Sequence, residues 1–255
     1  MKVITLPLIL LMLTAFNVVQ ASDLEKEKRW VDQVVDYLID GEAEWLDLGE
    51  HKALAIYTES ATDNVRGGVI VIHGSGVHPN WEEVILPLRT ELPNNGWATL
   101  SIQMPVLRNE AEYHEYAPLF DEVAPRIDAA VKNLQAKGIK KISIVAHSLG
   151  SAMSAYYLAN NKNSAISSFV AIGMPGPRDD KRMDTVLALQ NINLPVLDLY
   201  GEKDLDYVLS SSKMRKDAGS KNNNYSQQVV KGADHFFVNK NTELVTQVNS
   251  WLMKH

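Results

Sequence analysis

From residue 68 onward, short continuous apolar runs alternate with longer stretches whose apolar residues recur at helical spacing. Gly68-Val69-Ile70-Val71-Ile72 is such a run, and a strand so apolar suits a parallel sheet covered on both faces. The pattern then predicts a helix over 81–92 and a strand over 98–104. Leu119, Val123, Ile127, Val131 and Leu134 form one stripe of a helical region restarted at Pro125. Further strands are expected over 142–146, 168–172, 195–200 and 225–230. Helices are expected over 149–160, 183–189 and about 207–218, with a last one capped by Thr242. Upstream, Ser22-Asp23-Leu24-Glu25 has the form of a capping box opening a helix that Gly41 ends. Residues 45–48 and 52–58 suit a hairpin. A hairpin followed by repeated strand–helix units implies a mostly parallel sheet of about eight strands with helices on both faces. Loops after the parallel strands then share one edge, where sites in such sheets form.

The first 21 residues stand apart. Met1-Lys2 is positive, Val3 to Val19 is nearly all apolar, and Val19-Gln20-Ala21 offers small residues before polar Ser22-Asp23. This is the layout of a secretory signal peptide. Residues 1–21 are therefore expected to be a cleaved signal and 22–255 a single domain, with the periplasm or the extracellular space as destination and no stable membrane insertion after processing. The chain has no cysteine, which removes disulfides, thiolate nucleophiles and thiolate metal ligands. A formal net charge of -6 argues against nucleic acid as a partner, since phosphate binding needs a basic face. Histidines and carboxylates show no metal-ligand spacing, so neither metal nor cofactor is expected.

Three short segments carry chemistry. Ala146-His147-Ser148-Leu149-Gly150 falls at a strand-to-helix junction and matches a nucleophile elbow, with alanine in the first small position. A serine on so sharp a turn needs small residues two before and two after it. The amide of Leu149 would then point at a developing oxyanion. His73-Gly74-Ser75-Gly76 follows the strand at 68–72, and its backbone can approach a substrate closely; the amide of Ser75 is the expected second oxyanion donor. A dinucleotide loop fails here because Pro79 occupies the third glycine position. Gly201-Glu202-Lys203-Asp204 and Gly232-Ala233-Asp234-His235-Phe236 follow the last two strands. His235 is a base for Ser148, and Asp204 an acid to orient it, with Glu202, Asp206 and Asp198 as competitors for that role. His147 reads as packing.

The chain resembles the α/β-hydrolase superfamily, and within it an uncharacterised exported bacterial branch catalogued as a domain of unknown function. The segments quoted carry the resemblance, together with Gly96-Trp97-Ala98-Thr99-Leu100 and Leu197-Asp198-Leu199-Tyr200-Gly201-Glu202. It implies hydrolysis of an ester, thioester, amide or related bond through an acyl-serine, with Ser148, Asp204 and His235 catalytic and Leu149 and Ser75 forming the oxyanion hole. No stretch is long enough for a large cap domain, so an open site is expected, lined by Gly74, Gly76, His78, Trp81, Met104 and Met174. A small or envelope-presented ester is the expected substrate. The rival class is a non-catalytic binding or scaffold protein that keeps the fold.

Overall fold

A computed structural model of the chain describes residues 22–163 and 165–255; the expected signal peptide lies outside the described residues. The elements are α1 (Leu24–Val35), β1 (Glu42–Asp47), β2 (Lys52–Thr58), β3 (Gly67–Ile72), α2 (Ile85–Glu91), β4 (Trp97–Ile102), α3 (Val123–Ala136), β5 (Ile142–His147), α4 (Leu149–Asn160), β6 (Ile166–Ile172), α5 (Thr185–Leu189), β7 (Val196–Lys203), α6 (Asp206–Gly219), β8 (Tyr225–Asp234) and α7 (Asn241–Leu252). Eight strands form one sheet in the order β1-β2-β4-β3-β5-β6-β7-β8. The β1–β2 and β2–β4 pairs are antiparallel and the rest are parallel.

Alternating side chains on the central strands feed two cores, as the two-residue period of a strand requires. Ile70, Ile72, Ile144 and Ala146 join Ile127, Val131, Leu134, Ala152 and Met153 of α3 and α4. Val69, Val71 and Val145 face the other way, onto Ile85 and Leu88 of α2 and Leu244, Val248 and Trp251 of α7. The strand register sets Ile72 beside Ile102 and Ala146, and His147 beside Ile172. The loops that follow these strands therefore leave the sheet along one edge.

Several boundaries differ from the sequence expectation. The helix expected from Trp81 begins only at Ile85, because Val84 sits at φ 63°, ψ -54° and interrupts the turn before it. Trp81 instead packs on the α2–α7 core. The cap of α1 is Asp23, whose carboxylate accepts the Lys26 amide at 2.9 Å. Ser22 is drawn away: its amide and hydroxyl donate to Glu122 at 3.0 and 2.7 Å. β7 and β8 run past Tyr200 and Val230 to pair Lys203 with Asp234 across an irregular register. The strands can continue because Gly232 takes φ 73°, a conformation that costs glycine little. A tertiary clamp holds α1 over the loop after β4. The buried Arg126 guanidinium donates to both Glu27 oxygens at 3.0 and 2.9 Å and to the Gln103 carbonyl at 2.9 Å.

Candidate active site

Ser148 occupies the turn between β5 and α4 at φ 53°, ψ -122°, a region that a residue with a side chain enters only under strain. The surroundings enforce it. The Ser148 amide donates to the Ile172 carbonyl of the neighbouring strand at 2.8 Å. A Cβ on Gly150 would meet the His73 carbonyl and stand 2.8 Å from Ile72 Cγ2. A glycine at 150 is thus a steric demand of the elbow against β3, and Ala146 lies buried beside Ile72 of that strand. As the first residue of α4, Leu149 has an amide without an intrahelical partner, aimed out of the positive end of the helix. Gly74 lies against the elbow from the other side: a Cβ there would stand 3.1 Å from Ser148 Cβ. The β3 loop with Ser75 and Gly76 is thereby brought alongside the serine.

His235 follows β8 directly and Asp204 follows β7. Nδ1 of His235 lies 2.6 Å from Asp204 Oδ1, and Nε2 lies 3.0 Å from Ser148 Oγ. A carboxylate can only accept, so Nδ1 carries the proton and Nε2 presents its lone pair to the serine hydroxyl. Asp204 also accepts the amides of Gly201 at 3.1 Å and Leu205 at 2.8 Å. Burial alone would raise the pKa of this carboxyl. The hydrogen bond and charge of His235, with the two amides, outweigh it and hold the value below the usual range. Ser148, Asp204 and His235 are 8%, 5% and 4% exposed, so the row of hydrogen bonds is shielded from bulk water.

The competing carboxylates go elsewhere. Asp198 accepts from Arg215 Nε at 2.8 Å and from Tyr225 and Gln227 at 2.9 Å each. Glu202 accepts the Gly232 amide at 2.9 Å, and Asp206 opens α6 on the exposed surface.

Two histidines brace the site. The Met104 amide donates to His73 Nε2 at 2.9 Å, so Nδ1 holds the proton and donates to the Gly74 carbonyl at 2.8 Å. His73 thereby ties the glycine loop to the end of β4. His147 Nε2 donates to the His235 carbonyl at 2.9 Å, and the two rings lie 4.8 Å apart. His147 is thus a positioning residue for His235. Its packing role was legible from its place in the elbow, but its hydrogen-bond partner is 88 residues away and had no local signal. Gly173 was also missed. It sits at φ 57°, and a Cβ there would stand 2.9 Å from His235 Nδ1 and Cε1; its signal is a glycine immediately after β6 on the shared edge.

Burial pushes the pKa values of both His73 and His147 down to about 3. Such a histidine stays neutral in the fold while the unfolded chain takes up a proton. Stability is therefore fully present above the ordinary value of 6.5 and is lost as pH falls from there toward about 3. We expect His147→Gln to flatten the acid-side slope of unfolding free energy by up to about 1.4 kcal/mol per pH unit. Urea denaturation at a series of pH values measures this; parallel slopes in wild type and variant would contradict it.

The expected pocket residues divide. Gly74 and Gly76 lie in the loop beside Ser148. Met104 and Met174 do not line a cleft: they are 1% and 0% exposed and belong to the core packed with α3 and α4. An apolar residue just past a strand can turn under the sheet edge as easily as over it, and both turn under. His78 stacks edge-on between Trp30 and Trp81, at 5.6 and 5.5 Å. With Gln33, Val34 and Glu83, His78 and Trp81 line a cleft of about 530 Å³ that contains neither Ser148 nor His235. The docking of α1 decides this, because Trp30 draws the pair toward it.

A mostly parallel eight-stranded sheet, helices on both faces and a serine elbow at its edge define the α/β-hydrolase fold. Solved structures agree. A dienelactone hydrolase from Anabaena variabilis is 20% identical, with TM-score 0.67, covering 85% of this chain and 98% of that one. An esterase from Pyrococcus furiosus is 16% identical, with TM-score 0.66, covering 86% of this chain and 94% of that one. Residues 20–124 and 119–254 match the family described as "Protein of unknown function (DUF3530)", and the chain belongs to that family. No curated protein matches it.

Proposed function

We propose that the protein is a serine hydrolase that cleaves carboxylic esters through an acyl-serine. The observation that carries this reading is the buried row Ser148–His235–Asp204, with hydrogen-bond separations of 3.0 and 2.6 Å. His235 accepts the Ser148 proton as Oγ attacks the ester carbonyl. The amides of Leu149 and Ser75 receive the oxyanion, and the charge of Asp204 stabilises the imidazolium. His235 then gives its proton to the departing alcohol. Water, deprotonated by the same nitrogen, attacks the acyl-serine and releases the acid. Among the connections on this edge, that from β6 to β7 carries only the five-residue α5, which supports a site without a large cap domain, and a small or surface-presented ester is the substrate class proposed.

The test is labelling with a fluorophosphonate followed by peptide mapping. The adduct is expected on the peptide containing Ser148 and absent from Ser148→Ala. A folded protein that resists several probe sizes would support the scaffold reading, and an adduct on another serine would refute the mechanism.

We also propose that the enzyme is exported and that residues 1–21 are removed. Among the described residues no helix is long and apolar enough to cross a membrane. N-terminal sequencing of exported protein is expected to begin at or near Ser22. Recovery of the intact N-terminus in the membrane fraction would sink the cleavage proposal.

A further inference from the structure

The loop after β6 carries a cation at the active edge that the mechanism does not use. The Arg178 guanidinium lies 5.1 Å from the ring of Tyr113 and 5.4 Å from the ring of Tyr207. Its hydrogen bond within the chain goes to the carbonyl of its own neighbour, Pro177, at 3.1 Å. Next along the chain, Asp179 is exposed and Asp180 is taken by Arg182 at 2.8 Å. Among the described residues no carboxylate pairs with Arg178.

The two tyrosines extend this patch toward the serine. The Tyr207 ring stands edge-on to His235 at 6.4 Å. The Tyr113 hydroxyl is buried without a hydrogen-bond partner, although a buried donor normally has one. A half-buried guanidinium, an unsatisfied phenol and a second phenol whose ring adjoins His235 are all donors. A delocalised planar anion with several lone pairs is the group that satisfies them together, and guanidinium matches carboxylate in two-pronged geometry. The chain as a whole is negative, at -6, so attraction of an anion here is local to this patch.

We propose that Arg178, with the hydroxyls of Tyr113 and Tyr207, binds a carboxylate carried by the substrate. The ester cleaved at Ser148 is then one that bears a free carboxylate a short chain away from the reacting carbonyl, such as a monoester of a dicarboxylic acid. The proposal rests on the reading of Ser148 as the nucleophile. It assigns Arg178 the choice of substrate and leaves the acyl transfer to the triad.

Two measurements test it. In the first, monoethyl glutarate is compared with ethyl pentanoate by acid release at constant neutral pH, in wild type, Arg178→Met and Arg178→Lys. Methionine keeps the apolar stem and removes the charge. The ratio of kcat/KM for the charged ester to that for the neutral ester is expected to fall about 10- to 100-fold in Arg178→Met, with partial recovery in Arg178→Lys. An unchanged ratio would overturn the proposal. In the second, monoethyl glutarate is titrated calorimetrically into Ser148→Ala and into Ser148→Ala/Arg178→Met, each first shown to melt cooperatively. Binding is expected in the first and a loss of similar factor in the second. Because this arm needs no turnover, it separates the two ideas. Binding that depends on Arg178 in a protein whose wild type cleaves neither ester would retire the hydrolase reading and keep the carboxylate site. Equal binding with and without Arg178, or no binding to either variant, would retire the site whatever the turnover.

Discussion

Ser148→Ala is expected to lower turnover of any ester the protein cleaves by about 10^4-fold or more, and His235→Ala by a similar factor, with the double variant little worse than either. Each loss corresponds to about 5.5 kcal/mol of transition-state stabilisation. The serine hydroxyl is a weak nucleophile until Nε2 of His235, 3.0 Å away, takes its proton; without the hydroxyl, Nε2 has nothing to activate. The two groups therefore act as one device and their losses cannot add. The fold is expected to survive Ser148→Ala, since alanine removes one oxygen from a residue strained at φ 53°. Initial rates on a simple aryl ester, with thermal melts of the same samples, measure this. Losses that multiply in the double variant would show two independent roles and would sink the proposed mechanism.

Asp204→Asn and Asp198→Asn are expected to fail in opposite ways. Asp204 receives the Nδ1 proton at 2.6 Å, and an amide there can offer its own N–H, which favours the wrong tautomer of His235. Turnover should fall by about 10^4-fold, the size of effect seen for this substitution in a serine protease triad, with little change in melting temperature. Asp198 is fully buried against the equally buried Arg215. Removing its charge leaves the guanidinium unpaired in the core and should cost about 3–5 kcal/mol of stability. Melting curves and rates on the folded fraction separate the two. If folded Asp198→Asn is inactive while Asp204→Asn works normally, the assignment of the acid is wrong.

The elbow was readable because its constraints are local. A serine held at positive φ between a strand and a helix demands small neighbours at 146 and 150, and those residues lie within five positions of one another. Asp204 and His235 were readable for a related reason: each is a polar residue just past a strand of a parallel sheet, and parallel strands deliver such positions to one edge. The choice of Asp204 over Asp198 followed from position along the strand: Asp204 comes after it, where a loop can carry it to the active edge. Asp198 lies mid-strand and points to the sheet face under α6, where Arg215 meets it.

The substrate-facing surroundings were not readable to the same degree. Met104 and Met174 turn into the core, and Trp81 leaves its expected helix because Val84 breaks the turn. His78 and Trp81 are drawn to Trp30 because α1 docks there, and α1 docks there because Glu27 meets Arg126, 99 residues away. The amino-acid sequence by itself determined the sheet, its polarity, the edge that bears the chemistry and the three residues of the hydrogen-bonded row. These follow from apolar periodicity and from steric rules that act over a few residues. Only the tertiary structure decided what stands around that row: His147 holding the backbone of His235, Gly173 beneath its ring, and Arg178 between Tyr113 and Tyr207. Each of those contacts joins loops from different strands, and no periodicity within one segment encodes which side chains two distant loops bring together.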